Sequence, residues 1–203
     1  MTLPSKGVGK FIVFEGAHAS GKTTAARLAV RELRNIGIPA IYTKEPFSTR
    51  LRPVIQELSK TRSAKPVALA FLIAADRSLH LDRILEWVRQ GKYVICDRYK
   101  LSSLVYQRID GLSPAAIRRI NNAFREPDSI FLFVAPLELR LERLDREKRD
   151  SRHRFLSREA LEREQKFYSS YARTKLPGLT VLDGSLEPKV IVNHVLQVIE
   201  KGS

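Results

Sequence analysis

Short apolar runs alternate with stretches of helical period along the chain. Residues 10–15 (Lys-Phe-Ile-Val-Phe-Glu) are β-branched and aromatic with no polar interruption between their charged ends, the pattern of a strand buried on both faces. A loop of small residues, 16–21, follows. Residues 23–35 then place Ala25, Leu28, Ala29 and Leu33 on one helical face, and Gly37 and Pro39 end the helix. Residues 40–43, 93–96, 130–135 and 179–182 read as four further strands. Between and after them the spacing predicts helices over 52–58, 66–90, 101–109, 114–124, from Pro136 to about Lys148, from Ser157 onward, and over 188–200. Pro66 and Pro136 stand at helix openings, and Gly91 stands at a close. Strands separated by helices imply a five-stranded parallel sheet covered on both faces, a three-layer α/β/α domain spanning residues 1–203. Such sheets bind ligands at the carboxyl ends of their strands.

Composition narrows the class. The 203 residues are 43% apolar and 29% charged, which supports a packed core and excludes a disordered chain. A single cysteine, Cys96, excludes an intramolecular disulfide framework and a cysteine zinc site. The first ten residues lack an apolar secretory segment, and the longest apolar run, 67–75, is too short to span a bilayer. A soluble, cytoplasmic protein without a membrane partner is expected. The net charge of +14 asks for anionic partners, or reflects abundant ion pairs of the kind that accompany high temperature. Charge alone leaves small phosphorylated ligands and nucleic acid both open.

Chemistry enters with the loop after the first strand. Gly16-Ala-His-Ala-Ser-Gly-Lys-Thr23 fits G-x-x-x-x-G-K-[ST] in its required place between a strand and a helix. Gly16, Ala17, His18, Ala19, Ser20 and Gly21 supply backbone N–H groups to nucleotide phosphates. Lys22 reaches the β- and γ-phosphates, and Thr23, followed by Thr24, offers a hydroxyl to Mg²⁺. A nucleotide with Mg²⁺ is the expected ligand. Asp97 and Arg98 follow the third strand and so face the same crevice, the carboxylate suited to Mg²⁺ or its water shell and the guanidinium to a phosphate. An ordinary surface Asp–Arg pair would read the same way in isolation.

Several stretches, in order, resemble the thymidylate kinase family. They are Phe14-Glu15-Gly16 with Gly21-Lys22-Thr23-Thr24, then Thr43-Lys44-Glu45-Pro46 followed by Thr49, then Ala74-Ala75-Asp76-Arg77 with His80. Asp97-Arg98-Tyr99-x-x-Ser102-Ser103-x-x-Tyr106-Gln107, Pro127-Asp128 and the segment from Pro136 to Arg143 complete the likeness. The resemblance implies a P-loop nucleoside monophosphate kinase fold and transfer of the ATP γ-phosphoryl group to dTMP with Mg²⁺. It implies that Arg98 contacts the acceptor phosphate, Arg77 and Ser103 the base, Tyr106 the sugar 2′ position and Arg143 the adenine of ATP. It also implies a homodimer. A basic stretch from about Arg146 to Phe155, containing Arg149 and Arg152, reads as a lid whose cations close on the phosphates. With Ala19 in the loop, the likeness is to members that rely on lid cations for catalysis.

The chain departs from the family pattern in the acceptor half. His18 stands where a loop carboxylate is usual, and Ile73 where a phenylalanine stacks on thymine. Phe47-Ser48 replaces Gly-Gly, Phe133 replaces an aspartate in the fourth strand, and Leu156 replaces a glutamate after the lid. These changes keep two alternatives in view: a related kinase for another nucleoside monophosphate, or a non-catalytic module that binds nucleotide or nucleic acid. No RRM, KH or zinc-finger signature is present, so nucleic acid is not the expected partner.

Overall fold

The computed structural model describes residues 9–60, 65–146 and 156–201. The order of elements is β1 (Phe11–Gly16), α1 (Lys22–Asn35), β2 (Ala40–Lys44), α2 (Leu51–Lys60), α3 (Pro66–Arg89), β3 (Tyr93–Asp97) and α4 (Lys100–Ile109). Then come α5 (Pro114–Asn121), β4 (Ser129–Val134), α6 (Leu137–Arg146), α7 (Arg158–Ala172), β5 (Leu179–Asp183) and α8 (Pro188–Lys201). The five strands form one parallel sheet, as expected, and their order is β2-β3-β1-β4-β5.

β1 lies in the middle, paired with β3 on one side and β4 on the other, and all six of its residues are buried. Its alternation sorts the two faces. Ile12 and Phe14 pack with Ala25, Ala29 and Leu33 of α1 and Val192 and Val195 of α8. Phe11 and Val13 face the other way, onto Leu81, Ile84 and Val88 of α3. Leu132 of β4 meets Val105 of α4 and Tyr168 of α7 on a further part of the sheet. Phe14 is fully buried, and burial of one such side chain contributes roughly 1.5–3 kcal/mol.

Local chemistry sets the boundaries. β3 extends to Asp97 because Asp97 pairs with both Lys44 and Phe14. Ser113 caps α5, its hydroxyl accepting from Ala116 N–H at 3.2 Å. The same helix stops at Asn121, short of the expected Phe124, where Asn121 turns its side chain to Arg77. Pro136 precedes α6, and its carbonyl accepts the first helical bond, from Arg140 N–H at 3.1 Å. Ser157 caps α7 as the sequence suggests. Of the expected lid only Arg146 is described; Arg149 and Arg152 lie outside the described residues. Cys96 is fully buried in β3 and burial raises its thiol pKa, which fits a core residue. No described helix is long and apolar enough to cross a membrane.

Candidate functional site

The carboxyl ends of β1 and β3 carry the site. Gly16 closes β1 at φ 147°, and a Cβ there would lie 2.6 Å from the Phe133 carbonyl, so a side chain is excluded. Gly21, at φ 92°, precedes α1 and provides no side-chain cap. The first N–H groups of α1 therefore remain for an anion. Lys22 is buried to 5% exposure, with its Nζ donating to Ala17 O at 3.2 Å. Burial, reinforced by the neighbouring charge of Arg98, lowers its ammonium to about 8. A lysine held short of water in this way gains from a phosphate what it has lost in hydration.

Thr23 donates its hydroxyl to Asp97 Oδ2, and Tyr42 OH reaches the same oxygen at 3.4 Å. The other oxygen, Asp97 Oδ1, is buried with no hydrogen-bond partner among the described residues. A hydroxyl and an under-coordinated carboxylate at the phosphate end fit a hard divalent cation that arrives with nucleotide. Among the described residues no group of three or more acidic, histidine or cysteine side chains could hold a metal by itself.

Arg98 occupies the left-handed region at φ 78°, a conformation costing of order 1–3 kcal/mol in a non-glycine residue. Its N–H continues the ladder to Phe14 O at 2.9 Å, which helps to hold the turn. The guanidinium lies over the Tyr106 ring at 5.0 Å. Nη1 reaches Gly16 O, Ser102 Oγ and Tyr168 OH at 3.3, 3.1 and 3.2 Å. Nε and Nη2 make no hydrogen bond to the described residues, leaving a fork for an anion.

Two cavities meet at this arginine. One, of about 670 Å³, is lined by residues 18–24, Tyr42, Asp97, Arg98 and Arg143. It contains the expected cation pair Thr23 and Asp97, and Arg143 donates to Ala19 O at 3.1 Å on its wall. The other, of about 260 Å³, is lined by Ile73, Arg77, Arg98, Ser103, Tyr106 and Gln107 among others. His18 and Arg98 belong to both walls. The residues assigned above to donor and acceptor thus fall into two adjoining compartments.

Arg77 is the buried hub of the smaller cavity. It forks onto Glu45 at 2.6–3.1 Å and donates to Ser103 Oγ, Tyr99 O and Asn121 Oδ1. Burial opposes charge on Glu45, but the Arg77 guanidinium and His80 together outweigh it and hold the carboxyl below its ordinary value. Asp76 accepts the N–H groups of Phe47 and Ser48, both at 2.7 Å. Phe47 stacks on His80 at 4.3 Å. The residues in place of Gly-Gly therefore have a bonded backbone and a packed side chain.

Four contributors escaped the sequence reading. Glu15 is fully buried. Its Oε1 accepts from the N–H groups of Tyr99 and Ser102, and its Oε2 from Ser102 Oγ and Tyr168 OH. It joins β1 to α4 and α7. Gln107 appears in the quoted pattern, but its buried side-chain amide has no hydrogen-bond partner among the described residues, and it lines the smaller cavity. Glu164 and Arg140 are also buried, and they form an ion pair beside His18. Glu164 lies 146 positions from His18, so no local pattern connects the two. The isolated loop position made His18 look like a lost carboxylate, whereas the fold supplies a carboxylate from α7.

A family model described as thymidylate kinase matches residues 14–195. Among curated relatives, the thymidylate kinase of Pelotomaculum thermopropionicum is 35% identical, with 95% of this chain and 94% of the relative covered. That of Brachyspira hyodysenteriae is 31% identical at the same coverage, and a probable thymidylate kinase of Sulfurisphaera tokodaii is 32% identical over 94% and 95% of the two chains. The phosphate loop, the forked Arg98 and the paired cavities lie within this shared span, and the chain belongs to the thymidylate kinase family.

Proposed function

We infer that the protein transfers the γ-phosphoryl group of ATP to dTMP, giving dTDP and ADP. The observation that carries this reading is the shared wall: Arg98 faces both cavities, so it can hold the acceptor phosphate where the donor cavity ends. An oxygen of the dTMP phosphate attacks the γ-phosphorus as the bond from that phosphorus to the ADP oxygen breaks. The acceptor is already an anion, so no strong general base is required. Lys22 and the α1 N–H groups stabilise charge on the β- and γ-phosphates, and Arg98 offsets repulsion between the approaching anions. Thr23 and Asp97 are suited to hold Mg²⁺, which when bound neutralises phosphate charge. Arg149 and Arg152 are assigned the lid role. The adenine is assigned to Arg143, and the thymine to the space beside Ile73, Arg77 and Ser103.

A second copy of the chain is the proposed partner. Val67 and Phe71, one helical turn apart on α3, are 55% and 59% exposed and supply an apolar face. The cytoplasm, where ATP is available, is the proposed compartment. The functional test offers dTMP, dUMP, dCMP, UMP, CMP, AMP and GMP with Mg·ATP and measures diphosphate formation. The highest kcat/KM is expected for dTMP. A cytidine or purine nucleotide surpassing it would replace the acceptor assignment.

A further inference from the structure

Two buried arginines line the acceptor cavity, and buried carboxylates reach them in different ways. Glu45 grips the Nε–Nη2 edge of Arg77 directly, at 2.6–3.1 Å, and so occupies it. Arg98 also has a buried carboxylate close by, Glu15, but two hydroxyls stand between them. Ser102 Oγ donates to Glu15 Oε2 at 2.6 Å, and Tyr168 OH donates to the same oxygen at 3.3 Å. Both hydroxyl oxygens accept from Arg98 Nη1, at 3.1 and 3.2 Å. Glu15 Oε1 is held by the N–H groups of Tyr99 and Ser102 at 2.8 and 2.9 Å, which keeps the carboxylate from swinging onto the guanidinium.

We infer that Tyr168 is a positioning residue: its hydroxyl, with that of Ser102, relays Glu15 to Nη1 of Arg98 and so aims the opposite, Nε–Nη2 edge of the guanidinium at the acceptor phosphate. This rests on the reading of Arg98 given above. Nη1 carries two N–H groups, and with Gly16 O at 3.3 Å it has three acceptors, so that corner is saturated. The Tyr106 ring covers one face of the guanidinium at 5.0 Å. With a corner and a face fixed, the free edge has one direction. A carboxylate in direct contact would take that edge from the phosphate, as Glu45 takes it at Arg77. The interposed hydroxyls stabilise the buried cation and leave its fork open.

Tyr168 is built for this task. Its ring packs among Ala17, Leu101, Val105 and Leu132, and it meets the Tyr106 ring edge-on at 6.4 Å. The hydroxyl is therefore placed by the apolar core, independently of the polar groups it joins. Burial raises the phenol above its ordinary range, so the proton stays on oxygen for donation to Glu15. The residue lies 70 positions from Arg98, and α7 brings it to the end of β3.

Tyr168→Phe keeps the ring and its packing and removes the hydroxyl alone. The test is a calorimetric titration, without ATP, of wild type and variant with dTMP and with thymidine, which lacks the phosphate. The wild-type protein should bind dTMP more tightly than thymidine by about tenfold or more. Tyr168→Phe should lower that ratio about fivefold through weaker dTMP binding, with the Kd for thymidine within about twofold of the wild-type value. A hydroxyl that serves only the packing of α7 would weaken both ligands alike, so an unchanged ratio in folded Tyr168→Phe overturns the inference. If the variant fails to fold, ¹⁵N spectra of the wild-type Arg98 guanidinium decide. Distinct Nη1 and Nη2 signals, the mark of a pinned group, support the inference, and one averaged signal overturns it. Thymidine bound by the wild type as tightly as dTMP removes Arg98 from the acceptor phosphate, and overturns the reading beneath the inference together with it.

Discussion

Replacing Glu45 with alanine should destabilise the acceptor cavity from within. Arg77 is 1% exposed, and Glu45 is its only acidic ion-pair partner among the described residues. Removing one member of a buried ion pair costs about 3–5 kcal/mol, because the remaining charge has neither water nor counter-ion. Arg77 would keep neutral acceptors in Asn121, Ser103 and the Tyr99 carbonyl, which favours the lower end, about 3 kcal/mol. For a chain of this size that corresponds to a fall in Tm of roughly 6–12 °C. Urea titration and calorimetry at pH 7 measure the loss, and dTMP kinetics well below the transition report on the cavity. The double variant Glu45→Leu/Arg77→Met removes both charges and should recover most of the stability, while dTMP turnover remains poor without Arg77. A loss below about 1 kcal/mol in the single variant, as for an exposed pair, would refute the reasoning. So would a double variant no more stable than the single one.

Lys22→Met should retain the fold and lower kcat more than tenfold, a barrier increase above about 1.4 kcal/mol; steady-state kinetics that keep a tenth of normal turnover contradict the assigned role. Acid should destabilise the protein through His18, whose folded pKa of about 4 lies below its ordinary 6.5. Across that window the unfolded chain binds more protons, so stability is lost as pH falls from about 6.5 towards 4. Denaturant midpoints for His18→Gln should therefore decline less steeply over this interval than those of the wild type. Ile73→Phe should increase selectivity for dTMP over non-pyrimidine acceptors, since an added ring–base contact contributes roughly 0.5–1.5 kcal/mol; an unchanged kcat/KM ratio across the nucleotide panel contradicts that placement.

Sequence could read what is local. The uninterrupted run through Phe11–Glu15, the glycines of the phosphate loop and the period of α1 each encode their own conformation, so the sheet and the donor cavity were legible. Asp97 and Arg98 were legible as neighbours of a strand end, but the left-handed turn at Arg98 was not, because it depends on β1 and the packing around it. Contacts closed by the tertiary fold were invisible. Glu164 and Arg140 belong to ordinary charged helical segments, and only the approach of α6 and α7 to the phosphate loop makes them parts of the site. Likewise, Phe47 became intelligible only once His80 provided its stacking partner.

The central position of β1 has a consequence for hydrogen exchange. Its amides lie between two hydrogen-bonded neighbours, in a strand without exposed residues, so exchange at Val13 and Phe14 is expected to require opening of the whole sheet. Nucleotide bound beyond Gly16 would touch neither amide, yet it should slow exchange at both by favouring the native over the unfolded state. At a free ligand concentration of about 100 Kd the protection gained is about 2.7 kcal/mol, whichever cavity the ligand fills. Amides in the middle of the protein would thus register the affinity of ligands at its edge, and a titration of their exchange rates could rank acceptors without observing any turnover.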